Sequence, residues 1–211
     1  MMNKKTMMAV WLSACLPAFA ADMVPPPARV EAPAVTDVSG EVGTLMASGR
    51  DSLMAGKSTE ALALFEKAIA LDPASQEAAF GLSAALMELK RFSEARPVLE
   101  KLAREVPDHP MVKNNLAWAL LQDKSQGSTN AVRAIKLARS ALLEIPSDYS
   151  IWNTLGEAYY AAGQFDKALR AAQSGLRLSD LAGITNSPCR ELLIRCRKGA
   201  AATLLDKGGE P

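Results

Sequence analysis

The sequence predicts an all-α fold made of paired antiparallel helices, one pair stacked on the next. Three observations predict it. Residues 152–172, WNTLGEAYYAAGQFDKALRAA, read as two short amphipathic helices around a tight turn at Ala162-Gly163-Gln164. Asp72-Pro73 and Pro107 close two successive helical stretches with their prolines 34 residues apart. No stretch of the chain shows a convincing strand pattern.

Composition narrows the chemistry. The 211 residues are 49% hydrophobic and 22% charged, enough apolar content for a core in one or two domains. A single His, His109, and three Cys leave little from which to build a His-based catalytic centre or a His-rich metal site. The formal charge is +1, and two of the positive charges, Lys4 and Lys5, lie in a segment expected to be removed. Residues 1–20 hold no Asp or Glu, so the remaining chain carries 22 positive and 23 negative groups, a net charge of −1. That balance gives no electrostatic reason to expect nucleic acid or an anionic membrane as partner.

In chain order, residues 1–20 form an export segment. MMNKKT is short and basic, MMAVWLSACLPAFA is apolar, and Ala18-Phe19-Ala20 is a small-residue cleavage site. The apolar run is too short to span a bilayer. Leu12-Ser13-Ala14-Cys15 also resembles a bacterial lipobox, whose Cys would be lipidated. The short apolar run before Cys15 and the apolar residues after it favour plain cleavage after Ala20. Either route predicts an exported, periplasmic protein, anchored to the outer membrane only if Cys15 carries lipid. Residues 21–40, with Pro25, Pro26, Pro27 and Pro33, read as an extended, disordered linker.

The remaining chain divides into repeats aligned on 152–172. Repeat 1 spans 42–75, with Gly49 at the small position of its first helix, Gly56 at the turn, and Ala61, Phe65 and Ala68 on its second helix. Repeat 2 spans 76–109, with Leu82, Ser83, Leu86, Phe92, Ala95, Leu99 and Leu102. Repeat 3 spans 110–148 and closes at Pro146, 39 residues after Pro107, so five residues are inserted. The insertion falls in 122–130, QDKSQGSTN, whose composition marks a loop. Repeat 4 spans 149–180; Asp180 replaces the closing Pro, and Gly175 stands where Ala is usual. Asn186-Ser187-Pro188 then reads as the start of a further helix, 187–205, with an apolar stripe at Leu192, Leu193, Cys196, Ala200 and Leu204. Lys207 and the residues after it read as a frayed end.

The spacing Trp152, Leu155, Gly156, Tyr159, Gly163, Phe165, Ala168, Ala172 resembles the tetratricopeptide repeat (TPR), W-x2-L-G-x2-Y followed by a second apolar helix, and 34 residues is the TPR period. The resemblance covers roughly 42–180. It implies a right-handed α-solenoid of about four TPR helix pairs, in which each pair completes its core against the next. Residues 187–205 would then be the capping helix that commonly ends such arrays.

No site chemistry is apparent. His109, between Asp108 and Pro110, reads as a solvated turn histidine. No glycine-rich phosphate loop follows a strand, and the acids are spread along helix faces. Catalytic residues, metal ligands and cofactors are therefore not expected. Cys189 and Cys196 would lie about 10.5 Å apart along one helix. A disulfide needs Cα atoms within roughly 7 Å. Two reduced thiols are expected first, a strained or intermolecular bond second, a metal site third.

What remains is binding. The positions at which TPR proteins hold peptides on a concave surface fall on Met46 and Arg50, Phe80 and Met87, Asn114 and Trp118, then Asn153, Glu157 and Tyr160. The aromatics would anchor an extended or helical segment of a protein partner, and Asn114 and Asn153 would hold its backbone. The lysine clamp of some chaperone-binding TPRs is not matched, since Met46 stands at its first Lys. Helix periodicity leaves open whether Phe80 and Trp118 pack under neighbouring helices instead. The implied function is a non-enzymatic adaptor in the cell envelope, serving a pilus, secretion or outer-membrane complex. The alternative is a structural subunit, with self-association through the outer face or capping helix.

Overall fold

A computed structural model of the chain describes residues 38–123 and 127–207, with side chains through residue 199. Residues 1–20, read as an export segment, with Cys15, and residues 21–37, read as linker, lie outside the described residues, as do 124–126 and 208–211. The described residues form helices α1 (Val38–Met54), α2 (Ser58–Leu71), α3 (Gln76–Glu88), α4 (Phe92–Glu105), α5 (Pro110–Gln122), α6 (Gly127–Glu144), α7 (Tyr149–Ala161), α8 (Phe165–Leu181) and α9 (Pro188–Lys207). No strand occurs among them. This is the all-α helical-repeat fold that the pattern predicts. It divides into two units, one ending at Leu102 and the other beginning at Ala103.

The same hairpin turn recurs. Gly56 and Gly163 take φ of 75° and 70°, the left-handed region that costs glycine nothing. Lys90 adopts φ of 59° at the corresponding place between α3 and α4. In each turn the next residue donates its N–H back five residues: Lys57 to Ser52, Arg91 to Leu86, Gln164 to Tyr159, at 2.8–2.9 Å. These bonds satisfy carbonyls that the ending helix leaves open. Side chains cap the helices that follow the closing turns. Ser75 Oγ accepts the Ala78 N–H at 3.1 Å, and Asp148 Oδ1 accepts from Ser150 at 2.7 Å.

In the first unit α2 packs against both α1 and α3. Its centre is Phe65 on α2, fully buried. A Cβ at Gly49 of α1 would lie 2.8 Å from the Phe65 ring, and one at Gly81 of α3 only 2.4 Å. The ring therefore fills the space that two missing methyl groups leave. Ala61, Leu62 and Ala68 share the buried face of α2, and α4 buries Ala95, Leu99 and Leu102.

In the second unit α7 packs against α5, α6, α8 and α9. Ala117, Ala134, Ala138, Leu155, Ala158 and Ala171 form one buried cluster; Ala168, Ala172, Leu192 and Cys196 form another.

Two boundaries differ from the sequence expectation. α1 begins at Val38, inside the stretch assigned to the linker, and the Thr44 hydroxyl bonds the Gly40 carbonyl at 2.9 Å within its first turns. The loop expected over 122–130 is shorter, because α6 already starts at Gly127. Buried Asn130 donates its amide to the Asp123 carbonyl at 2.9 Å and ties the connection closed. Much of the insertion thus lengthens α6, which has 18 residues against 14 in α2 and in α4.

Replacing Gly81 with Ala pushes a methyl group into the Phe65 ring. It is expected to cost about 1–3 kcal/mol in urea unfolding. A double-mutant cycle with Phe65→Leu should return a coupling of about 1 kcal/mol; independent effects of the two substitutions would refute the contact.

Candidate functional site

The nine positions proposed for partner contact fall in both units and have different fates. In the first unit Met46 is buried, 4% exposed, and offers nothing to a partner. Its helix turns that face into the core formed with α2. Arg50 reaches from α1 to α3, where its Nη1 donates to Glu77 Oε1 at 2.6 Å. Phe80 and Met87 are half-buried. With Glu77 and Ala84 they form a partly open stripe on α3, spaced three and four residues apart, while Ala78, Gly81, Ser83, Ala85 and Leu86 are buried.

In the second unit Trp118 on α5 is half-buried. Asn114, one turn earlier, is 0% exposed, and Asn153 on α7 is 2% exposed. The expectation that these two amides line an open surface is therefore corrected. Among the described residues neither the amide nitrogen nor the oxygen of Asn114 has a hydrogen-bond partner, nor has the side-chain oxygen of Asn115 or Asn153. A buried carboxamide left unbonded is costly, and such groups are few in folded proteins.

Glu157 and Tyr160 are engaged by the chain itself. Arg195 of α9 forms an ion pair with Glu157, and its guanidinium lies over the Tyr160 ring, 5.1 Å from the centroid. Tyr160 also meets Phe165 edge-on, with centroids 5.3 Å apart. α9 comes close because two glycines admit it. A Cβ at Gly156 would lie 2.6 Å from Leu192 Cδ2. One at Gly175 would lie 2.5 Å from Cys189 Sγ and 3.0 Å from Trp152 Cβ. Gly175, where the repeat usually has Ala, thus makes room for the Cys189 thiol. Sequence reasoning missed Arg195, because nothing local links it to an acid 38 residues earlier. Trp152 serves the frame, its indole N–H donating to the Pro146 carbonyl at 2.8 Å.

Cys189 and Cys196 are both buried and unbridged. Burial pushes the Cys189 thiol up to about 11, which disfavours the reactive thiolate. His109 is not a solvated turn residue. It caps α5, its Nδ1 accepting the Val112 N–H at 3.3 Å, and burial lowers its pKa. Among the described residues no three His, Cys, Asp or Glu side chains group as metal ligands.

Two outcomes test this arrangement. Gly175→Val should displace Cys189, and its reaction with a thiol reagent at pH 8 should quicken about tenfold or more; an unchanged rate would show that Gly175 makes no room for α9. For His109, the folded pKa lies below the ordinary 6.5. Between the two values the unfolded chain binds a proton that the folded chain does not, so stability falls as pH drops through about 6.5. Melting temperature should fall more between about pH 7.5 and 5.5 in the wild type than in His109→Asn, which keeps a capping side chain. Parallel curves would mean that His109 contributes nothing to the pH dependence.

Comparison with known proteins adds to the geometry. Residues 52–121 match one family described as Tetratricopeptide repeat and residues 149–180 match a second of the same description. No curated protein matches the sequence. Among solved structures, TTC0263, a thermophilic TPR protein of Thermus thermophilus, is similar at 22% identity and a TM-score of 0.62, covering 74% of this chain and 80% of that one. MamA of Desulfovibrio magneticus RS-1 is similar at 18% identity and a TM-score of 0.57, covering 84% of this chain and all of that one, 100%. These likenesses show the fold. Proteins of this kind serve in general as scaffolds for protein–protein interaction. Helix pairs repeating at the TPR spacing, the recurrent left-handed hairpin turn and two matches to TPR families together establish that the chain belongs to the tetratricopeptide-repeat family.

Proposed function

We propose that the chain is an exported adaptor that holds a segment of a partner protein against the first helices of its repeats, within an assembly of the bacterial cell envelope. The observation that carries the proposal is the partial exposure of Phe80 and Met87 on α3 of the first unit and, separately, of Trp118 on α5 of the second. Large apolar side chains partly open to water on such a fold are the usual anchors for a partner. In the first unit the Arg50–Glu77 pair adds a polar margin to Phe80 and Met87. Glu157 and Tyr160 are not part of the site, since α9 occupies them. The basic, apolar and Ala-Phe-Ala layout of residues 1–20 supports export.

The test is crosslinking from intact cells followed by mass spectrometry, comparing the wild type with Phe80→Ala and Trp118→Ala. Capture of the same partner should fall about tenfold while the melting temperature moves by only a few degrees. An unchanged set of crosslinked proteins would refute the site. The same spectra read the mature N-terminus, expected at Ala21; a lipidated Cys15 would replace the free periplasmic protein with an anchored one.

A further inference from the structure

The near-neutral net charge of the chain hides a segregation. Residues 38–102 carry 7 Lys and Arg against 9 Asp and Glu, whereas residues 103–207 carry 14 against 10. Within the second unit the excess lies on α6, α8 and α9. On α6 the exposed residues Val132, Lys136, Arg139 and Leu143 are spaced four, three and four apart, so they form one stripe. It points away from the buried alanines of that helix, Ala134, Ala138 and Ala141. On α8 the stripe is Arg170, Gln173, Arg177 and Leu181, opposite buried Ala168, Ala172 and Gly175. On α9 it is Ile194, Arg197 and Lys198, opposite Cys189, Leu192 and Cys196.

The three stripes share one composition: cations around an exposed aliphatic side chain. Leu143 is 83% exposed, Leu181 80%, Ile194 51% and Val132 50%. These four are all the large hydrophobics that the second unit exposes among its described residues, and each lies in a cationic stripe. Three further cations of the unit are paired, Arg190 with Asp180, Arg195 with Glu157 and Lys113 with Asp108. Lys136, Arg139, Arg170, Arg177, Arg197 and Lys198 have no ion pair among the described residues. Through residue 199 these three helices carry Glu144, Asp166 and Glu191 besides the paired Asp180, fewer acids than the six cations.

We propose that these outer stripes of α6, α8 and α9 dock the second unit on an anionic phospholipid surface. Arginine and lysine are drawn to phosphate headgroups, while protruding leucine and isoleucine enter the boundary with the acyl chains. A protein partner of the usual kind would instead meet a packed aromatic centre, and the stripes contain no aromatic residue. No helix among the described residues is long and apolar enough to cross a membrane, so the contact is with the surface.

The test is flotation of the full chain with vesicles rich in phosphatidylglycerol and with vesicles of phosphatidylcholine alone. Three proteins are compared: the wild type, a charge variant (Lys136→Glu, Arg139→Glu, Arg170→Glu, Arg177→Glu) and an apolar variant (Leu143→Ser, Leu181→Ser). All substituted positions are exposed, and circular dichroism checks that the helices persist. The N-terminal segment is common to all three proteins, so whatever lipid binding it contributes cancels. The wild type should bind the anionic vesicles, and added salt should weaken that binding. The charge variant should bind at least about tenfold more weakly, and the apolar variant several-fold more weakly with its salt dependence kept. Equal binding by wild type and charge variant, or equal binding to both vesicle types, overturns the proposal. Retention on poly-glutamate or duplex DNA without binding to the anionic vesicles also overturns it, and assigns the face to an acidic protein or to nucleic acid.

Discussion

Several helices of this protein approach one another closely where a side chain is missing. Phe65 shows the constraint most plainly, its ring lodged where Gly49 of α1 and Gly81 of α3 lack a Cβ. A helix pair has one apolar stripe on each member and cannot bury both alone, so the second helix of one repeat must wedge between two successive first helices. The wedge and the gap have to match in volume, because protein interiors are close-packed and tolerate neither a void nor an extra methyl group. Counting by the repeat, the position of Phe65 becomes Ala138 on α6 and that of Gly49 becomes Ala117 on α5. Both alanines are fully buried and belong to one cluster, so a small wedge meets a gap that is itself partly filled.

The same constraint brings α9 onto the last repeat. Leu192 enters above Gly156, and Cys189 enters above Gly175. α9 contacts α7 and α8, as α7 contacts α5 and α6. It therefore covers apolar surface that the last pair would otherwise expose, and it does so with Arg195 turned toward Glu157 and Tyr160. Completing the core at this end therefore takes two polar contact positions out of reach of a partner. The first helices that stay partly open are α3, with Phe80 and Met87, and α5, with Trp118. Burial of Asn153 follows the same logic, since α7 packs against α5, α6, α8 and α9 and has little free face left.

Features set by local chemistry were legible in the sequence. The helix pairs, the prolines that close them, the turns at Gly56 and Gly163 and the start of α9 at Pro188 all follow from residues within a few positions of each other. Lys90 shows where local signals stop: it adopts the glycine conformation because the packing of its helix pair demands that turn, and no residue type announces it. Asn130 carried a loop signal yet serves as a buried tie inside a lengthened helix. His109 looked like turn filler because a capping role needs the following helix to be present. The fates of Asn114, Asn153, Glu157 and Tyr160 depended on neighbours far along the chain, which periodicity within one helix does not encode.

Charge is where a whole-chain sum misleads most. A net charge of +1 over 211 residues, taken alone, leaves nothing to attract a charged surface. Association is governed by the field near the contact, which falls off within about 10 Å at moderate salt, so only charges on the same face add. Three acids of the second unit serve its structure: Asp148 caps α7, and Asp180 and Glu157 hold α9. Its cations stand mostly on the outward faces of α6, α8 and α9, where the core needs no residue of any particular kind. An alanine-rich buried face makes this separation simple. Small residues satisfy the packing on one side of the helix and leave the opposite side free to carry positive charge and an occasional protruding leucine, so a single helix both completes the core and presents a surface of quite different chemistry.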